Sequence, residues 1–179
     1  MPTNQPFRIR KVHHIALLGM LTTLCYVSRI VFQFLPNVQP VTVILLLITM
    51  LLGMKDGLIV SLLSVVISNI NLGLGVWTLA QITSFSIIII LTGLINRYVS
   101  FERLPFFGMV FYAGLTGYIY GFIISAVQAP FFGIQNFWAY YLSGLPFDTL
   151  HAVGNSGFYL ILAPILIPLI KKLMKNFYA

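Results

Sequence analysis

The stretch from Gly57 to Asn96, GLIVSLLSVVISNINLGLGVWTLAQITSFSIIIILTGLIN, runs forty residues without a Lys, Arg, Asp or Glu. As one straight helix it would be about 60 Å long at roughly 1.5 Å per residue. That is about twice the thickness of a bilayer's hydrocarbon core. Near its first third lies Asn69-Ile70-Asn71-Leu72-Gly73-Leu74-Gly75, and Asn and Gly pairs punctuate helices. The stretch therefore predicts two membrane-crossing helices joined by a short turn.

Working outward, charge is just as scarce elsewhere. None occurs between Lys11 and Arg29, Arg29 and Lys55, Arg103 and Asp148, or Asp148 and Lys171. Of 179 residues, 59% are hydrophobic and 7% charged, against about 25% charged in an average soluble domain. Mean hydropathy is +0.99, more apolar surface than a water-soluble fold of this size can bury. Disorder, a collagen-like fibre and a disulfide-stapled domain are excluded as well. The one cysteine, Cys25, has no partner within the chain and reads as a small buried residue.

These gaps predict an all-α integral membrane protein. It is a single domain over 1–179 with six helices at about 14–34, 39–53, 58–71, 77–96, 106–128 and 149–169. Residues 130–147 read as a connection rather than a seventh span. Pro130, Gly133, Gly144 and Pro146 break both ends, and Phe131, Phe132, Phe137, Trp138, Tyr140 and Tyr141 are aromatics of the kind that settle at headgroup level. Six crossings gather Arg8, Arg10, Lys11, Lys55, Arg97, Arg103, Lys171, Lys172 and Lys175 on one side. Basic loops stay inside, so both termini are expected in the cytoplasm and the first span is expected to be retained as an uncleaved helix. The formal charge of +7 then reflects topology and anionic headgroups, not nucleic-acid binding.

Catalytic signatures are missing. There is no P-loop, GxGxxG or HExxH, no paired carboxylates, and no cofactor or metal motif. His13 and His14 read as structural residues near the interface. With three acids, Asp56, Glu102 and Asp148, an autonomous pump is hard to build. A passive channel, a small-molecule binder or a subunit that borrows energy from partners remains.

Polar residues cluster at the uncharged end. Arg29, toward the outer end of the first span, either snorkels to headgroups or faces inward, to bind an anionic ligand group or pair with Asp148. Asp148, His151 and Asn155 recur at i, i+3 and i+7 on one helical face, as helix cap and interhelical bonds or as ligand lining. Trp77, Gln81 and Ser84 repeat that pattern. Asn37 and Gln39 lie on the same side, with Gln128, Asn136 and the aromatic connection. Aromatics with a few amides suit a flat or amphipathic organic molecule. Ser61, Ser64, Ser68 and Gly114, Gly117, Gly121 form small-residue stripes of the kind that pack helices closely. Ala16, Gly19, Met20 and Thr23 offer a small-residue groove for another membrane protein.

The chain resembles the substrate-binding S components of energy-coupling factor (ECF) vitamin transporters. The likeness rests on size, six helices, the string Leu35-Pro36-Asn37-Val38-Gln39-Pro40-Val41-Thr42, the Gly53–Gly57 turn and the Asn69-to-Gln81 segment. The string is most similar to the subgroup assigned to cobalamin or its precursors. The resemblance implies a high-affinity vitamin-binding subunit of the bacterial cell membrane with no bound cofactor. It also implies a transmembrane coupling subunit and two cytoplasmic ATPases as partners, and delivery by toppling. It points to Asn37, Gln39, Trp77, Gln81, Trp138, Tyr140, Asp148, His151 and Asn155 as the site. The family's alanine-x-x-x-alanine docking motif is altered here, since Ala16 is followed four residues later by Met20; Gly19 with Thr23 can supply the groove. An S component for another vitamin, a ligand-free assembly subunit and a stand-alone facilitator are the alternatives.

Overall fold

The computed structural model describes residues 5–178. Six α-helices follow one another: α1 Gln5–Val31, α2 Val41–Leu51, α3 Met54–Leu72, α4 Val76–Tyr98, α5 Phe106–Phe131 and α6 Phe137–Tyr178. A single 3-10 turn, Phe101–Arg103, links α4 to α5. Five helices are long and apolar enough to cross a membrane, while α2 has only eleven residues.

The short helix is the centre of the bundle. α2 touches all five others, which surround it in the order α1, α3, α4, α5, α6. Every residue from Val41 to Thr49 is buried, as expected of a helix that is apolar all round. The ring helices turn their other faces outward. No more than 39% of each membrane-length window is buried within the protein, so large apolar residues such as Ile15, Phe111 and Ile161 face lipid.

Local chemistry sets the turns. Leu52 and Gly53 alone join α2 to α3, with Gly53 at φ 106°, a conformation glycine adopts without strain. Asp56 falls in the first turn of α3 and pairs with His14 of α1 at 3.1 Å. Asn96 at the end of α4 donates to the Met50 carbonyl at 3.1 Å, so α2 and α4 finish together. The starts of α1 and α3 and the ends of α2 and α4 thus meet at the end that carries Lys55, Arg97 and Arg103.

The connection expected over 130–147 is mostly helix. α5 continues through Pro130 to Phe131 and stops in a Schellman motif. There Gly133 has φ 63°, Gly133 N–H donates to Pro130 O at 3.3 Å, and Ile134 N–H donates to Ala129 O at 3.0 Å. Asn136 then opens α6, its Oδ1 accepting the Ala139 N–H at 3.0 Å, as an N-cap does. The expected helix start at 149 moves to Phe137. Pro146 lies inside α6, as do Pro164 and Pro168; each removes one backbone bond, a loss that membrane helices tolerate where neighbours or water satisfy the freed groups. At forty-two residues, α6 is about 63 Å long, so part of it lies beyond the hydrocarbon core.

Candidate functional site

Arg29 lies in the last turn of α1 and is 3% exposed, so it does not snorkel. Its Nη2 donates to Asn69 Oδ1 and to Gln81 Oε1, each at 3.0 Å. A guanidinium only donates, so both amides must turn their oxygens toward it. Asn69, in the last turn of α3, donates its Nδ2 to Gln81 Oε1 at 2.9 Å and to Thr78 Oγ1 at 3.0 Å. Thr78 also accepts the Gly75 N–H at the start of α4. One cation therefore ties α1 to the α3–α4 hairpin without a carboxylate. Among the described residues Arg29 and Asp148 form no ion pair.

A second group joins the α1–α2 connection to α6. His151 Nδ1 faces the Asn37 carbonyl at 2.7 Å, and its Nε2 faces Thr42 Oγ1 at 3.1 Å. An acceptor at Nδ1 requires the Nδ1–H form, which leaves a neutral ring's Nε2 to accept from the Thr42 hydroxyl. Asn37, at φ 60° in the left-handed region that asparagine tolerates, also donates its Nδ2 to the Phe147 carbonyl at 3.2 Å. Two bonds to α6 thus hold this connection, Phe32–Pro40, over the start of α2.

Tyr120 of α5 bridges the two groups. Its ring lies 4.8 Å from His151 and 4.9 Å from Phe85, and its hydroxyl reaches the Gln81 side chain. Glycine lets α6 approach α5 here. A Cβ on Gly121 would overlap the Asp148 carboxylate, and one on Gly117 would come 2.6 Å from Ala152 Cα. Asp148, His151 and Asn155 are all buried on this face.

Among the described residues four buried side-chain polar atoms have no hydrogen-bond partner: Thr22 Oγ1 on α1, and Arg29 Nε, Asp148 Oδ2 and Asn155 Oδ1 in this region. Asn155 makes only a long 3.5 Å contact to Thr116 Oγ1. Buried polar groups are normally satisfied. A donor and two acceptors left unmatched around Tyr120 give this end of the bundle unspent hydrogen-bonding capacity.

Other expected site residues stand apart from this set. Trp77 is 44% exposed; it folds over Gly75 and donates Nε1–H to Gly73 O at 3.0 Å. Trp138 is 63% exposed and packs edge-on to Phe137 and Tyr141. Tyr140 donates to Gln128 Oε1 at 3.2 Å, joining the ends of α5 and α6. Gln39 is half-buried in the α1–α2 connection. Conversely, sequence reading missed Asn69, Thr42, Thr78 and Tyr120. Asn69 was legible only as turn punctuation, although it follows directly on the Ser61-Ser64-Ser68 stripe that faces inward.

On α1, Ala16, Gly19, Met20 and Thr23 share one exposed face. A Cβ on Gly19 would meet nothing within 4 Å, and Thr23 satisfies its hydroxyl on Gly19 O at 2.9 Å, leaving a shallow, apolar surface. Among the described residues no group of His, Cys, Asp or Glu is placed to hold a metal.

A ring of lipid-facing helices around a buried one, with buried polar side chains gathered at one end, defines a multi-pass membrane protein. Over residues 13–163 the chain matches the family described as ECF transporter, substrate-specific component, and it belongs to that family. Its members are substrate-binding transport subunits without catalytic activity of their own, so this chain is not an enzyme. They work with a membrane coupling protein and ATPase subunits. No individual curated protein and no solved structure matches the chain.

Proposed function

We propose that this S component captures cobalamin or a corrinoid precursor at the uncharged end of the bundle and delivers it by toppling against the coupling subunit. Both termini are then cytoplasmic, two ATPases drive the cycle, and the protein resides in a bacterial cell membrane. The observation that carries the reading is the unmatched polar set around Tyr120: Arg29 Nε, Asp148 Oδ2 and Asn155 Oδ1, each buried without a partner. Intramembrane ionisable residues are costly and mark function by default. A corrin ring edged with amide side chains supplies acceptors for Arg29 and donors for Asp148 and Asn155. Gln39, Trp77, Trp138 and Tyr140 lie on the same side and are read as the outer rim. The Pro-Asn-Val-Gln-Pro-Val-Thr string favours the corrinoid class over other vitamins.

The Ala16-Gly19-Met20-Thr23 face is the docking surface for the coupling subunit. Small residues let helices approach closely in lipid, and here they are uncovered.

Mass spectrometry of the protein purified from cells fed corrinoids, followed by titration with cobalamin and cobinamide, tests the substrate. Copurification and sub-micromolar binding are expected. Sub-micromolar binding of a different vitamin would reassign the substrate, and binding of none would remove the transport-subunit reading of the site.

A further inference from the structure

Resting on the reading of the outer polar set as the substrate site, we propose that this site takes a dipolar substrate, with an anionic group seated at Arg29 and a separate cationic centre facing Asp148. Apart from these two residues, no Lys, Arg, Asp or Glu occurs in 12–54, 57–96 or 104–170. The bundle beyond its basic end therefore holds one positive and one negative charge. Arg29 is 3% exposed and Asp148 5%. Opposite charges at such depth pair with each other or serve as counter-ions to a ligand, because a buried charge without a partner is strongly destabilising.

Here they do not pair. Among the described residues Arg29 and Asp148 form no ion pair. Arg29 spends Nη2 on the amide oxygens of Asn69 and Gln81, and its Nε stays unmatched. On the α5 side the Asp148 carboxylate rests on Gly121, which brings no donor side chain, and Oδ2 is buried without a partner. Tyr120 stands between the two charges, close enough to feel both. The other titratable neighbours bring no charge. His151, one turn along α6, is the neutral ring fixed by Asn37 and Thr42, and Tyr118 and Tyr141 are phenols, which ionise only near pH 10.

A substrate of one sign would neutralise one residue and leave the other unpaired. A dipolar one satisfies both, and the gap across Tyr120 requires its two charges to sit on separate parts of the molecule. Cobalamin has this form. Its cobalt(III) corrin is positive, and its nucleotide loop carries a phosphodiester of the kind a guanidinium holds well. Cobinamide keeps the positive centre and lacks the phosphodiester. Arg29 is then the specificity-determining residue for the nucleotide-bearing form, while Asp148 serves both.

Titration of the detergent-purified chain with cyanocobalamin and with cyano(aqua)cobinamide tests the assignment. The parent is expected to bind cyanocobalamin more tightly. Arg29→Gln is expected to lower cyanocobalamin affinity about tenfold or more, the worth of one hydrogen bond to a charged group, and cobinamide affinity much less. Asp148→Asn, which keeps the shape and removes the charge, is expected to lower both by about tenfold. Equal losses of the two ligands in Arg29→Gln would show a structural role and overturn the anionic subsite, as would equal affinities in the parent, a comparison that stands even if Arg29→Gln does not fold. Unchanged binding of both ligands in Asp148→Asn would overturn the cationic subsite. Any of these results with a corrinoid still bound leaves the corrinoid reading intact. Thiamine, biotin, riboflavin and pyridoxamine 5′-phosphate are titrated alongside. Tight binding of pyridoxamine 5′-phosphate, a dipolar ion of another class, would reassign the substrate and support the charge rule. Tight binding of cationic thiamine, anionic biotin or neutral riboflavin, or of no ligand in the panel, would overturn both readings.

Discussion

Arg29 Nη2 lies 3.0 Å from Gln81 Oε1, across fifty-two residues of chain. The bond joins the only Lys, Arg, Asp or Glu within the first span to the amide in the second turn of α4. Asn69 contacts both partners, so the cation is solvated by protein dipoles instead of neutralised by a carboxylate. It keeps its full charge toward anything that reaches it.

Arg29→Ala removes that charge and both of its hydrogen bonds, leaving Asn69 Oδ1 without its donor while Gln81 Oε1 keeps the bond from Asn69 Nδ2. Hydrogen bonds to charged groups contribute about 1.5–3 kcal/mol each. Corrinoid affinity should fall by about ten- to a hundredfold, measured by titration calorimetry in detergent. Asp148→Ala should also weaken binding, whereas Ser64→Ala should change it little, because Ser64 spends its hydroxyl on Ser61 O of its own helix at 3.0 Å. Equal affinities across the three variants would remove the site from this end of the bundle.

Gly117→Ala and Gly121→Ala push a methyl into Ala152 and the Asp148 carboxylate respectively. Overpacking of this kind costs about 1–3 kcal/mol, so both should lower the midpoint of thermal unfolding. Gly144→Ala is the contrasting case. It lies inside α6 with nothing within 4 Å of the added carbon, and it should stabilise by up to about 1 kcal/mol through helix propensity.

Asn136→Ala deletes the N-cap of α6. The expected cost is about 1 kcal/mol, seen as a lower thermal midpoint. Exchange of the Ala139 amide, whose hydrogen bond is lost, should rise more than exchange in the middle of the helix.

Gly19→Trp adds bulk where the isolated chain has open space. Vitamin binding should stay within about twofold of the parent, since surface substitutions away from special features shift free energies by only about 0.5 kcal/mol. Copurification with the coupling subunit should be lost. Retained association would place the docking surface elsewhere.

How much of this was legible depended on which signal each residue carried. The turn at Asn69–Gly75, the inward face of Asp148, His151 and Asn155, and the separate interest of Arg29 and of Gln81 follow from charge spacing and helical period, but the partner expected for Arg29 was Asp148, and the structure gives it Asn69 and Gln81. The 130–147 segment was misread because glycine and proline were counted as breakers without asking what each did. Gly133 ends a helix, whereas Pro146 sits inside one. Asn136 held the information, as a capping residue before an apolar run, but an N-cap three residues past a glycine looks like ordinary loop. Asn69 was overlooked for a related reason. Its role depends on the α3–α4 hairpin bringing it back to Gln81, a contact that no single-helix periodicity encodes. Trp77 and Trp138 were chosen by type, and type does not say which way a ring turns.

The central helix has a mechanical consequence. Eleven residues rise about 16 Å, roughly half the thickness of a bilayer's hydrocarbon core, and the non-helical connection Phe32–Pro40 leads into the start of α2. Such backbone survives at membrane depth only when protein or water satisfies it, and here Asn37 supplies both tethers to α6. The bundle is corked rather than walled at that end. Lifting the cork breaks two tethers, whereas a full-height second helix in the same place would first have to unwind.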